Sequence, residues 1–422
     1  MTDVKSLSTK YRYVIAGLIL VVPLCTLLPY LAVSVLMNDI MISLNIDYSL
    51  AGMMMSIMMA ICGVCMFFGS TVQDRIGLRQ TVILAIILLS TGSAICFFAK
   101  GFASLFTGRV VLGIGFGLNA VSLSPFMSTW FTGKQRTLMI SANLVANSLA
   151  AVASYSLANP IKNMIGSWNG VFGVYSLFIL AIALVWIVFS KSNTAIEGQR
   201  KYDRKSSIIK KNNSLLQAMR IRQYWVFMFM GIFMHAAMTS VTLYLPSYLS
   251  TVRGLSIGMA AAASSTISVA NIVGATLGGA VVARTGRRKV FIHLGLLLYI
   301  LGGFLITLAE SAPTVFISSA LVGFSFMFIL PSQSTISMET IRPFRPTVYA
   351  AAIALSSGVV QISSISIAPL FTSVSNVFGM TGSLRIFFLL PIVSFITSFL
   401  LKETGPKAEL KTNLPIMEEI ST

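Results

Sequence analysis

The sequence predicts an all-α membrane protein of twelve transmembrane helices in two pseudo-symmetric six-helix bundles, and three observations carry that expectation. Only 10% of the 422 residues are charged and 56% are hydrophobic, with a mean hydropathy of +0.86. An ordinary soluble domain has about 25% charged residues, so lipid must solvate most of these side chains. Apolar runs long enough to cross a hydrocarbon core of about 30 Å, roughly 20 residues each, recur twelve times along the chain. The cations fall in alternate gaps between those runs.

The runs lie near 13–37, 50–72, 80–99, 103–129, 137–159 and 168–190, then near 224–250, 257–282, 290–309, 313–338, 347–372 and 382–401. The first is long enough to span and shows no small-residue cleavage site, so it reads as a membrane helix rather than a signal peptide. With a cytoplasmic N-terminus, the inner segments hold Lys5, Lys10 and Arg12, then Arg75 and Arg79, then Lys134 and Arg136. They also hold nine cations from Lys191 to Arg222, four from Arg284 to Lys289, then Arg342 and Arg345, and finally Lys402, Lys407 and Lys411. Outer loops hold only Lys100, Lys162, Arg253 and Arg385. Cytoplasmic loops carry the excess of Lys and Arg, and one misplaced span would scramble this alternation. The chain therefore divides into an N-terminal bundle (1–190), a cytoplasmic linker (191–223), a C-terminal bundle (224–402) and a cytoplasmic tail (403–422). The compact loops fit a multi-pass protein of an inner (plasma) membrane with both termini cytoplasmic.

Several function classes fall away. The net charge of +18 and pI near 10.0 suggest nucleic acid, but the cations sit in short gaps rather than on one folded face. No nucleic-acid partner is expected. Cys62 and Cys65 have C-x-x-C spacing without a second ligand pair, and with Cys25 and Cys96 they read as packing residues inside apolar stretches. No metal and no cofactor are expected. The G-x4-G-K-[ST] phosphate loop of an ATP-driven machine is missing, because Gly133-Lys134-Gln135 lacks the upstream glycine and the hydroxyl. No intramembrane nucleophile or acid pair marks an enzyme.

The two halves repeat a motif. Gly69-Ser-Thr-Val-Gln-Asp74-Arg75-Ile-Gly77-Leu-Arg79 follows the second span, and Gly278-Gly-Ala-Val-Val-Ala283-Arg284-Thr-Gly286-Arg287-Arg288 follows the eighth, 209 residues later. Arg136 and Arg345 keep that separation. Repeated halves suit carriers in which one half rocks against the other around a midplane site.

On these residues the chain resembles the major facilitator superfamily. The G-x4-D-R-x-G-x-R pattern is that family's signature, Arg109-Val-Val-Leu-Gly113-Ile-Gly115 resembles its R-x3-G-x-G pattern, and Tyr244-Leu-Pro246-Ser-Tyr248 is similar to its seventh span. The resemblance runs from about Tyr11 to Lys402 and is nearest the anion-solute and cyanate-type branches. The fifth span, from Ser141 to Tyr155, lacks the G-P-x-x-G-G pattern of drug/proton antiporters. The resemblance implies the major facilitator fold, a secondary transporter working by alternating access, and a central cavity lined by spans 1, 4, 7 and 10.

Ionisable groups at membrane depth each cost at least a few kcal/mol unless paired or solvated. Arg109 lies roughly 9 Å into span 4 and His235 roughly 16 Å into span 7, at 1.5 Å per residue. Either could meet a solute; the alternatives are an arginine bonded to carbonyls and a packing histidine. His293 reads as interfacial. No Asp or Glu lies deep in a span, which favours an anionic or neutral solute over a cation. Polar stripes add Asn143 and Asn147 in span 5, Ser264, Ser268 and Asn271 in span 8, and Ser357, Gln361 and Ser364 in span 11. Tyr30, Asn119, Tyr244 and Gln333 complete the candidate lining, although such stripes also serve helix–helix bonding. The expected activity is secondary or facilitative transport of a small organic solute, an anion by preference, with proton symport as one mode. Efflux of amphipathic compounds is the alternative. The expected partners are the solute, a co-transported proton and the lipid bilayer, around a monomer.

By the same resemblance, Asp74 closes the inner gate by meeting a helix N-terminus of the other half, where a carboxylate gains from the positive helix end. Gly69, Arg75, Gly77, Arg79, Gly278, Arg284, Gly286, Arg287, Arg288, Arg136 and Arg345 belong to this gating motif. Asp74→Asn is expected to slow turnover more than it weakens solute binding; paired transport and binding assays that show equal losses would contradict the assignment.

Overall fold

A computed structural model describes residues 3–131, 133–191, 217, 219–285, 287–340 and 346–404. Gly286, Arg345, most of the linker and most of the tail lie outside the described residues, as do the side chains of Asp74 and Arg136. The first half contains α1 (Asp3–Val35), a short α2 (Met37–Leu44), α3 (Tyr48–Ile76), α4 (Leu78–Phe97), α5 (Phe102–Trp130), α6 (Gly133–Ile165) and α7 (Trp168–Phe189). The second contains α8 (Arg222–Thr251), α9 (Ile257–Thr285), α10 (Lys289–Leu308), α11 (Ala312–Glu339), α12 (Pro346–Ser363), a 3-10 turn (Ser364–Ser366) and α13 (Ile367–Ser398).

The expected spans are all present, with ends within a few residues of their sequence positions. The repeat holds in three dimensions: α3 and α9 each have 29 residues and begin 209 positions apart. The apolar stretch Leu355–Ser398 runs for 44 residues, about 66 Å if straight at 1.5 Å per residue, more than twice a hydrocarbon core. It is two crossings, because Gly379 inside α13 has φ 69 and ψ 173, a conformation essentially reserved for glycine. With that fold the described residues make twelve crossings.

Each span sorts its side chains between helix neighbours and lipid. On α7, Tyr175, Ile179, Ala183 and Trp186 are buried, whereas Leu177, Leu180, Leu184 and Val188 are exposed on another face. A soluble helix would turn its exposed face polar; this one is apolar all round, as a bilayer span must be. Donors among the helices find backbone carbonyls. The Trp186 indole donates to Leu18 O (3.2 Å), Ser154 Oγ to Leu28 O (2.9 Å) and Ser394 Oγ to Met230 O (2.7 Å). Such bonds hold spans together where no hydrophobic force separates helix from lipid tail. The cysteines follow the packing expectation: Cys25, Cys62 and Cys96 are buried and Cys65 half-buried.

The motif loops have a visible job within each bundle. Gly77 joins α3 to α4 with φ 92 and ψ 162, a positive-φ conformation that costs a non-glycine residue about 1–3 kcal/mol. Arg79 then donates through Nε to Ser190 Oγ (2.8 Å) and through Nη2 to Ile187 O (2.7 Å). A cation thus sits on the negative C-terminal end of α7. In the second half Lys289 Nζ donates to Phe399 O (2.7 Å), just beyond α13. There the Glu403 carboxylate accepts from the backbone N–H groups of Arg288 and Lys289 (3.0–3.3 Å), and Arg288 pairs with Glu339. Both bundles therefore tie their third span to their sixth at this end, with different residues.

Gly379→Ala is expected to lower the melting temperature of the detergent-solubilised protein, by the ~1–3 kcal/mol that such backbone strain costs. Gly279→Ala, where an added Cβ meets nothing within 4 Å, is the control and should leave it unchanged or higher.

Candidate functional site

Arg109 is fully buried (0% exposed). Its Nε donates to Met54 O (2.7 Å), Nη1 to Pro29 O (2.6 Å) and Nη2 to Tyr30 O (3.4 Å). The guanidinium therefore joins α5 to α1 and α3. Proline has no N–H to give, so the α1 ladder is already interrupted at Pro29, beside the carbonyls that Arg109 takes. A planar fork with five donors suits three acceptors on two helices, which a lysine could not match. Of the two sequence expectations for this side chain, its bonding here is the carbonyl-bound arrangement, without snorkelling outward. No carboxylate faces it among the described residues, so its positive charge is not neutralised.

His235 lies midway along α8, and its Nε2 is 2.9 Å from Ser364 Oγ. Ser364 opens the 3-10 turn that interrupts span 11. This break was not anticipated from sequence, where Ser357, Gln361 and Ser364 read as one helical stripe. Short 3-10 segments within a helix often mark hinges.

The halves meet along α3. Gln361 Nε2 approaches Met59 Sδ (3.7 Å). A Cβ at Gly63 would stand 2.7 Å from Gly358 O, so α3 and α12 touch backbone to backbone here. Nearer the end of the bundle opposite the chain termini, a Cβ at Gly52 would fall 2.1 Å from the Tyr244 hydroxyl. Tyr244 is buried and stacked on Phe371 with ring centroids 3.9 Å apart. Ser247 Oγ donates to Asn38 Oδ1 (3.0 Å). Together these contacts close the halves against each other at that end. Gly52, Asn38 and Ser247 escaped the sequence reading as site residues, because nothing local distinguishes them; only the pairing of distant helices does.

The other candidates are dispersed. Tyr30 is buried with its ring on Phe116 (centroids 6.3 Å apart). Asn119 is buried, and its Oδ1 has no hydrogen-bond partner among the described residues. Asn147 Nδ2 donates to Asn143 O (2.8 Å) and Oδ1 (3.2 Å), so this pair bonds along α6 rather than across helices. Asn271 and Gln333 are half-buried, and Ser264 returns its hydroxyl to Ala260 O (3.0 Å) within α9. His293 stacks on Phe399 (centroids 4.4 Å apart) near the start of α10. No cluster of three or more His, Cys, Asp or Glu fit for a metal occurs among the described residues.

Twelve crossings in two repeated halves, with polar groups where the halves meet, define a multi-pass membrane protein of two six-helix bundles. A sequence profile of the Major Facilitator Superfamily matches residues 19–365, and the chain belongs to that family. It is 30% identical over 128 residues to the hexuronate transporter of Bacillus subtilis (strain 168), covering 30% of this chain and 29% of that one. It is 22% identical over 364 residues to plastidic glucose transporter 4 of Arabidopsis thaliana, covering 79% and 66%. The matches thus span less than a third of the first relative and about two-thirds of the second. The fold is similar to the crystal structure of a D-xylose-proton symporter (TM-score 0.77, 16% identity, 93% of this chain and 99% of that one). It is equally similar to a bacterial homolog of the human lysosomal transporter Spinster in an inward-facing, unoccupied conformation (TM-score 0.77, 14% identity, 94% and 98%).

Arg109→Lys is expected to lower thermal stability, because one ammonium cannot serve three carbonyls on two helices. A variant that keeps the wild-type melting temperature while losing transport would instead place Arg109 on the solute.

Proposed function

We propose that this protein moves a small, hydroxyl-bearing organic anion, of the sugar-acid class, across an inner (plasma) membrane by alternating access coupled to protons. The observation that carries this reading is the charge of the interior. The ionisable groups at membrane depth are Arg109 and His235, and no carboxylate lies beside them among the described residues. The carbonyls that hold Arg109 are neutral, so its field persists where the dielectric is low and favours an anion. The relatives support the hydroxyl-bearing part, since their names refer to a hexuronate, glucose and xylose.

In this reading His235 and Ser364 act as one unit. An imidazole bonded to a hydroxyl at a helix break is placed to pass a proton along that bond as span 11 flexes. Asn119, Asn143, Asn147, Asn271, Gln333, Gln361, Tyr30 and Tyr244 supply hydrogen bonds along the path, and Arg109 contributes long-range attraction while locking α1, α3 and α5. Asp74 and the paired motif loops govern opening at the end that carries the termini. The cation pattern of the loops supports cytoplasmic termini.

Proteoliposomes holding the purified protein provide the test. Hexuronates are expected to accumulate under an imposed proton gradient and to outcompete hexoses, and His235→Ala should weaken solute-linked proton uptake about tenfold, the equivalent of one hydrogen bond of ~1.4 kcal/mol. Uptake of a cationic dye without competition from organic acids would overturn the anion assignment.

A further inference from the structure

A cavity of about 420 Å³ opens on the first half, at the end of the bundle where the halves close. Its lining includes Asp39, Ser43, Lys100, Lys162 and Asn169, and every lining residue lies between 39 and 169. The cavity is therefore not between the halves and stands off any path that runs between them. Lys162 gives its ammonium to both Asp39 oxygens at 2.9 Å. Lys100 is exposed and has no partner among the described residues. Large apolar side chains are exposed in and beside the lining segments: Ile42, in the lining, is 83% exposed, Phe98, next to Ala99, 73% and Met164, between Lys162 and Gly166, 87%.

Two ammonium groups beside one carboxylate leave a net positive charge in a volume that suits a small ligand. An apolar rim at a helix end marks the boundary between hydrocarbon and water, where a phospholipid presents its phosphate and its acyl chains side by side. A soluble anion would use the lysines and leave Ile42, Phe98 and Met164 uncovered. We propose that this cavity binds the headgroup of an anionic phospholipid, its phosphate between Lys100 and Lys162 and its acyl chains along Phe98 and Met164. The site also touches the closure between the halves. Asn38, which accepts the hydrogen bond from Ser247 of the second half at 3.0 Å, immediately precedes Asp39 on α2. A phosphate competing for Lys162 frees Asp39 and loosens α2, so the lipid favours opening at this end.

Native mass spectrometry of the full chain, released from nanodiscs of mixed phosphatidylglycerol and phosphatidylcholine, tests this without any solute. One phosphatidylglycerol should be retained in preference to phosphatidylcholine. Lys100→Gln, which breaks no contact in the fold, should weaken that preference about fivefold, the effect of one cation near an anionic lipid. Lys100→Gln/Lys162→Gln should abolish it, and Lys100→Arg should keep it. Wild-type preference in Lys100→Gln, or displacement of the lipid by millimolar glycerol phosphate, overturns the proposal. Loss in Lys100→Gln with retention in Lys100→Arg supports it even if the double variant does not purify.

Discussion

Inside a bilayer a polar group has no water to turn to, so every donor must find an acceptor within the protein or face a cost of several kcal/mol. That constraint organises this molecule. Helices satisfy their own backbones, and side-chain donors turn either to carbonyls one turn back in their own helix or to carbonyls of neighbouring spans. Arg109 is the extreme case, one residue serving Pro29, Tyr30 and Met54. Trp186, Ser154 and Ser394 do the same in smaller increments. The polar atoms that hold the bundle together are thus mostly pairs of a side chain with a backbone, which need no complementary residue elsewhere in the sequence.

The two halves solve the same mechanical problem with different chemistry. Arg79 grips the end of α7 through Ser190 and Ile187. Lys289 of the equivalent loop grips Phe399 at the end of α13, and Glu403 beyond that helix accepts in turn from the loop's backbone. Replacing Asp74 by Ala283 in the second copy makes the repeat degenerate in sequence while the tie between third and sixth spans survives. A half tied in this way can move as one body, which rocking carriers of repeated halves require.

At the interface between halves the contacts are of another kind. Gly63 against Gly358, Gly52 beneath Tyr244 and the Asn38–Ser247 hydrogen bond are uncharged and small, and none carries the desolvation cost of a buried ion pair. Contacts of this sort release easily. The 3-10 turn at Ser364–Ser366 places a break in span 11 directly beside the imidazole of His235, which bonds Ser364.

The sequence by itself determined the number of crossings, their order and the repeat, because hydrocarbon thickness demands long apolar runs and each run is local information. The motif glycine was legible for the same reason: Gly77 sits at a turn that its neighbours announce. Arg109 and His235 were visible as unusual groups at depth, since cost alone makes them conspicuous. What Arg109 holds, that His235 reaches Ser364, that α2 forms in the first loop, and that Gly52 lies under Tyr244 were decided only in the folded state. Those facts depend on which helix faces meet across distances of tens to hundreds of residues, and a carbonyl acceptor carries no mark in the sequence, because every residue has one.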